Sequence, residues 1–218
     1  MANSTNRALL FWAIGIIAAL GLIWGLAKLG ASSSANLTAV LTIDAQDHLE
    51  GVATAPAKLI EYSDFECPAC AYYAPIVRAV KEKAGDKLVV VYRSFPLTSI
   101  HQYAQLAAQA AEAAALQDKF WEMHDILFAR QNSWSKALDV KATMIDYARE
   151  LKLDVTKFTV DIDSQAVKDR VARDVTNGNK INIQGTPTLY LNKKSINLPI
   201  TEQSLLDLVN QAAPGSNS

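Results

Sequence analysis

The chain has 218 residues, 22 acidic and 21 basic, for a net charge of −1, so no basic field draws it toward nucleic acid. It contains two cysteines and three histidines, too few cysteines for a structural disulfide framework, with no histidine spaced to complete a structural zinc site.

From Ala8 to Ala27 twenty residues run without a charge, the length of helix that crosses a hydrocarbon core of ~30 Å. Trp12 and Trp24 stand near its ends, Arg7 before it and Lys28 after it, as at the two faces of a bilayer. A cleaved signal has an apolar region of only ~7–15 residues. The small residues Ala31 to Ala35 suit a signal peptidase, but the length of the run favours retention. Residues 1–30 are therefore expected to be one membrane helix, an anchor or uncleaved signal. Residues 31–46 are expected to be a linker, 47–213 one folded domain, and 214–218 a disordered tail.

In the expected domain, Lys58 to Tyr62 reads as a short strand. Tyr73, Ile76, Val77 and Val80 follow at helical spacing. Pro68 suits a first helical turn, and Pro75 predicts a kink two turns later. Leu88 to Tyr92 has the β-branched composition of a buried strand, which completes a right-handed βαβ unit. Helical patterns then run from about Ile100 to Asn179. The first is the alanine-dense Tyr103–Leu116. Phe120, Trp121, His124, Ile126 and Leu127 line the second, Met144, Ile145, Ala148 and Leu151 the third, and Val167, Val171 and Val175 the fourth, which Gly178 is expected to end. Thr188–Leu191 and Ser195–Leu198 read as a hairpin turning at Asn192-Lys193-Lys194, and Thr201 as the cap of a last helix facing inward through Leu205, Leu206 and Val209.

Both cysteines lie in Cys67-Pro68-Ala69-Cys70, between the first strand and its helix. Two thiols so placed can close and reopen a small disulfide. Covalent haem attachment needs a histidine after the second cysteine, where Ala71 stands. Unpaired amides at a helix start and the helix dipole stabilise an anion, so Cys67 is the expected thiolate and attacking group, with Cys70, one turn in, resolving the mixed disulfide. No cofactor beyond this pair is expected. A lasting disulfide needs an oxidising space, which places the amino terminus in the cytoplasm and the domain outside. Gly185-Thr186-Pro187-Thr188 reads by itself as an ordinary turn entering a strand. Glu61 interrupts an apolar strand, either as a buried acid or as an edge residue facing water.

Glu61-Tyr-Ser-Asp-Phe-Glu-Cys67-Pro-Ala-Cys70, Phe95-Pro96-Leu97 with His101, Lys119-Phe-Trp-Glu-Met-His-Asp125 and Gly185-Thr-Pro187-Thr188, in that order, resemble the DsbA-like branch of the thioredoxin superfamily, especially its membrane-anchored members. The resemblance covers about Leu49 to Val209. It implies a thioredoxin fold interrupted by a helical domain at about residues 98–180. It also implies a cis Pro187 lying against the disulfide, Thr186 offering its backbone to a substrate strand, and Glu61 as the buried acid that accepts a proton from Cys70. Asp64 and Glu66 are expected to tune local charge, and His101, His124 and the Phe120-Trp121 pair to serve packing and hydrogen bonding. The implied activity is that of a bacterial, membrane-tethered thiol:disulfide oxidoreductase acting as a monomer on exported proteins with free thiols, reset by a membrane redox partner. Strongly oxidising relatives carry histidine where Ala69 stands, so a reductase or isomerase on the same fold stays open. So does a non-enzymatic chaperone or docking module of the cell envelope.

Overall fold

The computed structural model describes residues 37–213 together with Gly21. The expected anchor over residues 8–27 (Gly21 apart) and the tail 214–218 lie outside the described residues. No described helix is long and apolar enough to cross a membrane.

Five strands, β1 (His48–Glu50), β2 (Ala57–Ser63), β3 (Leu88–Ser94), β4 (Thr188–Leu191) and β5 (Lys194–Ile196), form one sheet in the order β1-β3-β2-β4-β5. β2 and β3 are parallel because helix α1 (Pro68–Ala84) carries the chain back between them, and every other neighbouring pair is antiparallel. Between β3 and β4 stand six helices: α2 (Ala104–Ala115), α3 (Phe120–Ala129), α4 (Gln131–Trp134), α5 (Val140–Glu150), α6 (Val155–Asp161) and α7 (Gln165–Lys180). α8 (Glu202–Ala212) closes the chain, and its start carries the cap expected at Thr201, reciprocated by Ser204. The short helices α4 and α6 carry too few residues for a periodic pattern to announce them.

The strand period of two sorts the core. Ala57 and Leu59 of β2, with Leu88 and Val90 of β3, pack against Val77 and Val80 of α1 and Leu205 and Val209 of α8. Ile60, Tyr62 and Val91 face the other way, toward Leu41, Phe95 and Ile183. The alanine-rich α2 supplies the centre of a third cluster, in which Met123, Leu127, Trp134, Met144 and Phe158 surround Ala107, Ala110 and Ala114. Phe65, Cys67, Cys70 and Tyr92 belong to this inserted core. The helical insertion is therefore the lid over one side of the cysteine motif.

Three expectations change. Residues 37–46 are no linker: residues 37–40 are helical, Leu41 is buried, and Arg93 gathers the segment. Its guanidinium donates to both carboxylate oxygens of Asp47 (2.9 and 2.8 Å), to the Tyr62 hydroxyl, and to the carbonyls of Val40 and Thr42. Gly178 does not end its helix, which continues to Lys180. A Cβ there would sit 2.7 Å from the Phe95 ring and 3.2 Å from Tyr62, so this glycine lets α7 approach the sheet closely. The hairpin turns on two residues, Asn192 and Lys193, with φ of 46° and 69°, and Lys194 already pairs with Leu191. Asn192 also accepts from the Lys58 amide at 2.8 Å.

Candidate active site

Cys67 is the N-cap of α1, in extended conformation, with no side-chain capping bond and Pro68 in the first turn. Its sulfur thus stands where the helix leaves amides unpaired and where the dipole favours negative charge. Cys70 lies one turn further along. Both thiols are unbridged in this structure, and Cys70 is fully buried.

The two thiols are electrostatically unequal. A bond from Cys70 to the Cys67 sulfur is the largest influence on Cys67. Amides of Cys70 and Ala69, and the neighbouring Thr186, reinforce it against the cost of burial and hold the Cys67 thiol at about 5. Burial pushes the Cys70 thiol far up, and the bond to Cys67 and the charge of Glu61 push the same way. Cys67 is therefore the group that ionises, and Cys70 keeps its proton until something removes it.

An expected result follows for alkylation of the reduced protein. The rate of iodoacetamide labelling at Cys67 should be half-maximal near pH 5, with Cys70 unlabelled up to pH 8. The sign of the linked stability is fixed by the same depression. Its contribution to the reduced fold is complete above the ordinary thiol value of ~8.5 and disappears as pH falls through about 5. Equal labelling of the two thiols, with midpoints in the ordinary thiol range, would contradict this geometry.

The Thr186–Pro187 peptide is cis, as the resemblance implied, and the Thr186 carbonyl lies 3.3 Å from the Cys67 sulfur, which donates to it while protonated. That bond ends when Cys67 ionises. The hydroxyl of Thr186 is buried and makes no hydrogen bond among the described residues.

Glu61 is buried, because β2 is the central strand and α1 and α3 cover the face on which its carboxyl stands. By strand alternation it shares the α1 face with Ala57 and Leu59 and stands beside Tyr92 in the parallel register. Burial raises the Glu61 carboxyl above its ordinary value, with Ser63 and His124 opposing. The Ser63 hydroxyl approaches both Glu61 and Cys70 without completing a hydrogen bond to either. Glu61 Oε1, Ser63 Oγ and the Tyr92 hydroxyl are all buried and unpartnered among the described residues. Burial lifts the Tyr92 phenol, and negative charge on Cys70 or Glu61 lifts it further. Unsatisfied polar atoms are uncommon in folded interiors, and here three gather beside Cys70.

The structure brings Cys67, Cys70, Thr186, Pro187 and Glu61 to one place and adds residues of which no role was expected. Tyr92 reads only as a strand residue, and Ser63 stands inside the Glu61–Cys70 motif without a role of its own. Gln131 of the insertion donates to the Phe65 and Cys67 carbonyls at 2.8 and 2.9 Å, which steadies the loop. Asp64 and Glu66 prove to be fasteners. The Asp64 carboxylate accepts from the Glu66 and Leu97 amides (2.8 and 2.9 Å) and pairs with His101 Nδ1 at 2.7 Å, while Glu66 accepts from the Tyr103 amide at 2.6 Å. They tie the cysteine loop to the segment that enters the insertion. A larger surface pocket of about 870 Å³ lies between β5 and α8 and includes neither cysteine.

A family model described as Thioredoxin matches residues 44–211. The chain is 39% identical over 181 residues to the Na(+)/H(+) antiporter NhaA 3 of Salinispora tropica, which covers 82% of this chain and 26% of the antiporter. It is 40% identical over 147 residues to the Na(+)/H(+) antiporter NhaA 1 of Salinispora arenicola, covering 67% and 22% respectively. The chain thus spans about a quarter of the length of the curated relatives it matches. Among solved structures, the oxidised BdbD of Bacillus subtilis superposes with a TM-score of 0.68 at 23% identity, over 78% of this chain and 94% of that one. The alpha-DsbA1 of Wolbachia pipientis gives 0.70 at 20% identity, over 80% and 94%. At these identities the likeness is one of fold.

Proposed function

The chain belongs to the thioredoxin family, with a DsbA-like fold, and from that premise we propose that it is a membrane-tethered thiol:disulfide oxidoreductase that donates disulfides to exported proteins. The observation that carries this reading is the opposition of the two thiols, Cys67 at the exposed-amide start of α1 and depressed to about 5, Cys70 fully buried one turn in and raised. A substrate thiolate attacks the Cys67 sulfur of the closed pair. The Cys67–Cys70 bond breaks, and Cys70 departs with a proton from Glu61. A second substrate thiolate then attacks the first substrate sulfur and expels Cys67 as a thiolate. The substrate gains one disulfide, and the protein keeps two electrons as a dithiol.

The low value of Cys67 matters most in that last departure, because a less basic thiolate leaves faster. It also stabilises the reduced pair, which favours passing the disulfide on. Thr186 supplies the backbone edge against which the substrate strand lies. The apolar run over residues 8–27 supports a membrane tether. So does the match to a segment of proteins named as Na(+)/H(+) antiporters. A membrane carrier that re-oxidises the dithiol completes the cycle, with the domain on the outer side of the bacterial cytoplasmic membrane and the chain working as a monomer.

The reduction potential tests the direction of flow. A disulfide donor equilibrated with glutathione should poise well above the roughly −270 mV of thioredoxin and oxidise reduced ribonuclease catalytically, while remaining in the membrane fraction after a carbonate wash. A potential at or below that of thioredoxin, with insulin reduction and no ribonuclease oxidation, would make it a reductase.

A further inference from the structure

His124 of α3 stands among aromatic rings, 5.0 Å from Trp121 and 4.9 Å from Phe128 by ring centroids, which is enough to account for it as a packing residue. Its surroundings say more. A cavity of about 10 Å³ lies between α1, α3 and the sheet, walled by Glu50, Glu61, His124 and Asp125 together with Ala74, Val77 and Val90. That is about the smallest space that admits one water, and a water there needs two to four polar partners. Five polar side chains line this one, Arg78 with the four just named, and Glu61 Oε1 is buried without a partner among the described residues. On its outer side, Ala74, Arg78, His124 and Asp125 also wall a surface pocket of about 310 Å³. His124 is the imidazole shared by the inner cavity and the outer pocket.

We propose that His124 carries protons between Glu61 and solvent through one water held in this cavity, so that the helical insertion supplies a working part of the redox site. The inference rests on Glu61 being the proton acceptor of Cys70. When Cys70 attacks a mixed disulfide at Cys67, its S–H proton passes to the Glu61 carboxylate. The new bond joins Cys70 to Cys67, and the substrate sulfur leaves with the electron pair. Glu61 then passes the proton to the water, the water to the imidazole, and the imidazole to solvent in the outer pocket. Imidazole is the side chain best suited to such relays near neutral pH.

The neighbours from every packed element fit this role. His124 Nδ1 lies 3.0 Å from Asp125 Oδ1, which orients the ring. Asp125 is itself held by Arg78 of α1 at 3.0 Å. Glu50 of β1 has its carboxyl raised by burial first and by Asp125 next, so it adds a second proton-holding group to the cavity wall. Tyr92 of β3 places its ring 5.1 Å from His124 and carries the unpartnered hydroxyl described above.

The test isolates the step. The full-length protein is loaded at Cys67 with thionitrobenzoate, and release of the coloured thiolate reports attack by Cys70 alone. His124→Ala is expected to slow release at least about tenfold between pH 6 and 7.5, with free imidazole restoring the rate in a saturable way through the outer pocket. His124→Phe, which refills the aromatic packing, is expected to be slow and indifferent to imidazole. Wild-type rates in both variants overturn the proposal, as does a slow His124→Ala that imidazole leaves unchanged. Glu61→Gln separates the premise from the relay. If it slows release while the His124 variants do not, Glu61 is the acceptor and the relay is wrong. If Glu61→Gln releases as fast as wild type, the acceptor role itself fails.

Discussion

Cys70→Ala should convert the protein into a trap, accumulating disulfide-linked complexes with exported proteins, while Cys67→Ala should form none. Both variants should lose catalytic disulfide transfer down to the uncatalysed background. The reason lies in the unequal thiols. At pH 7 a group at about 5 is almost wholly thiolate, roughly 30-fold more than a free thiol near 8.5. The lower basicity costs nucleophilicity by a similar factor, since reactivity falls with a Brønsted slope of about 0.4–0.5. Speed of attack is therefore not where Cys67 excels. Its advantage is as the sulfur that is attacked and then leaves. With Cys70 gone, the Cys67 thiolate still attacks a disulfide of an exported protein, expelling one substrate thiolate, and the mixed disulfide so formed loses its internal route of escape. The readout is a ladder of reducible adducts on non-reducing gels, its components identified after reduction. Equal trapping by the two variants, or none by either, would sink the assignment of roles.

Arg93→Met should lower unfolding free energy by about 3–5 kcal/mol, the cost of stranding a buried charge, with the thermal midpoint falling about 2–4 °C for each kcal/mol. Arg93 is 1% exposed and Asp47 0% at their side chains. Burial pushes the Asp47 carboxyl up, but the two bonds from Arg93 outweigh it and hold the group below its ordinary value. Removing the guanidinium leaves two carbonyls and the Tyr62 hydroxyl without this donor, and leaves that carboxylate only the Asp44 amide. The sign with pH is fixed. In the intact pair the stabilisation is present above the ordinary carboxylate value and fades as pH drops through the depressed one. In the variant, a lone buried Asp47 takes up a proton, so its deficit should shrink on acidification. Asp47→Asn combined with Arg93→Met should recover part of the loss. Urea midpoints of the three variants decide the matter, and a loss below about 1 kcal/mol would mean that the segment is held by its other contacts, among them those of Arg170 and Lys193.

Much of the site was legible in the chain because it is local. Cys67 and Cys70 share one helical turn, Pro68 starts that helix, and Leu88 to Tyr92 can hardly be other than a buried strand. The proximity of Thr186 to Cys67 came from resemblance, since 119 residues separate them and no spacing rule spans that distance. Glu61 was undecidable from its neighbours, because strand alternation says which residues share a face but not whether the strand is central. β4 pairing on one side of β2 and β3 on the other makes it central, and α1 and α3 laid over that face bury the carboxyl. Gly178 sits near the end of a periodic run, where glycine is usually a stop, and only the Phe95 ring against it shows a packing role. Residues 37–46 read as part of the linker until Arg93, some fifty residues later, collects the carbonyls of Val40 and Thr42 together with Asp47. Tyr92 and Gln131 stand outside the motifs that carry the resemblance, and the motifs that hold Ser63 and His124 assign them no proton chemistry, because what matters in each is the partner it meets or lacks across the fold. Backbone preference and short spacing were enough to reveal the reactive pair, the βαβ unit around it and the presence of a helical insertion. Which side chains lose water around Cys70 was left to the packing of the fold, because desolvation depends on what arrives from distant segments and cannot be read along the chain.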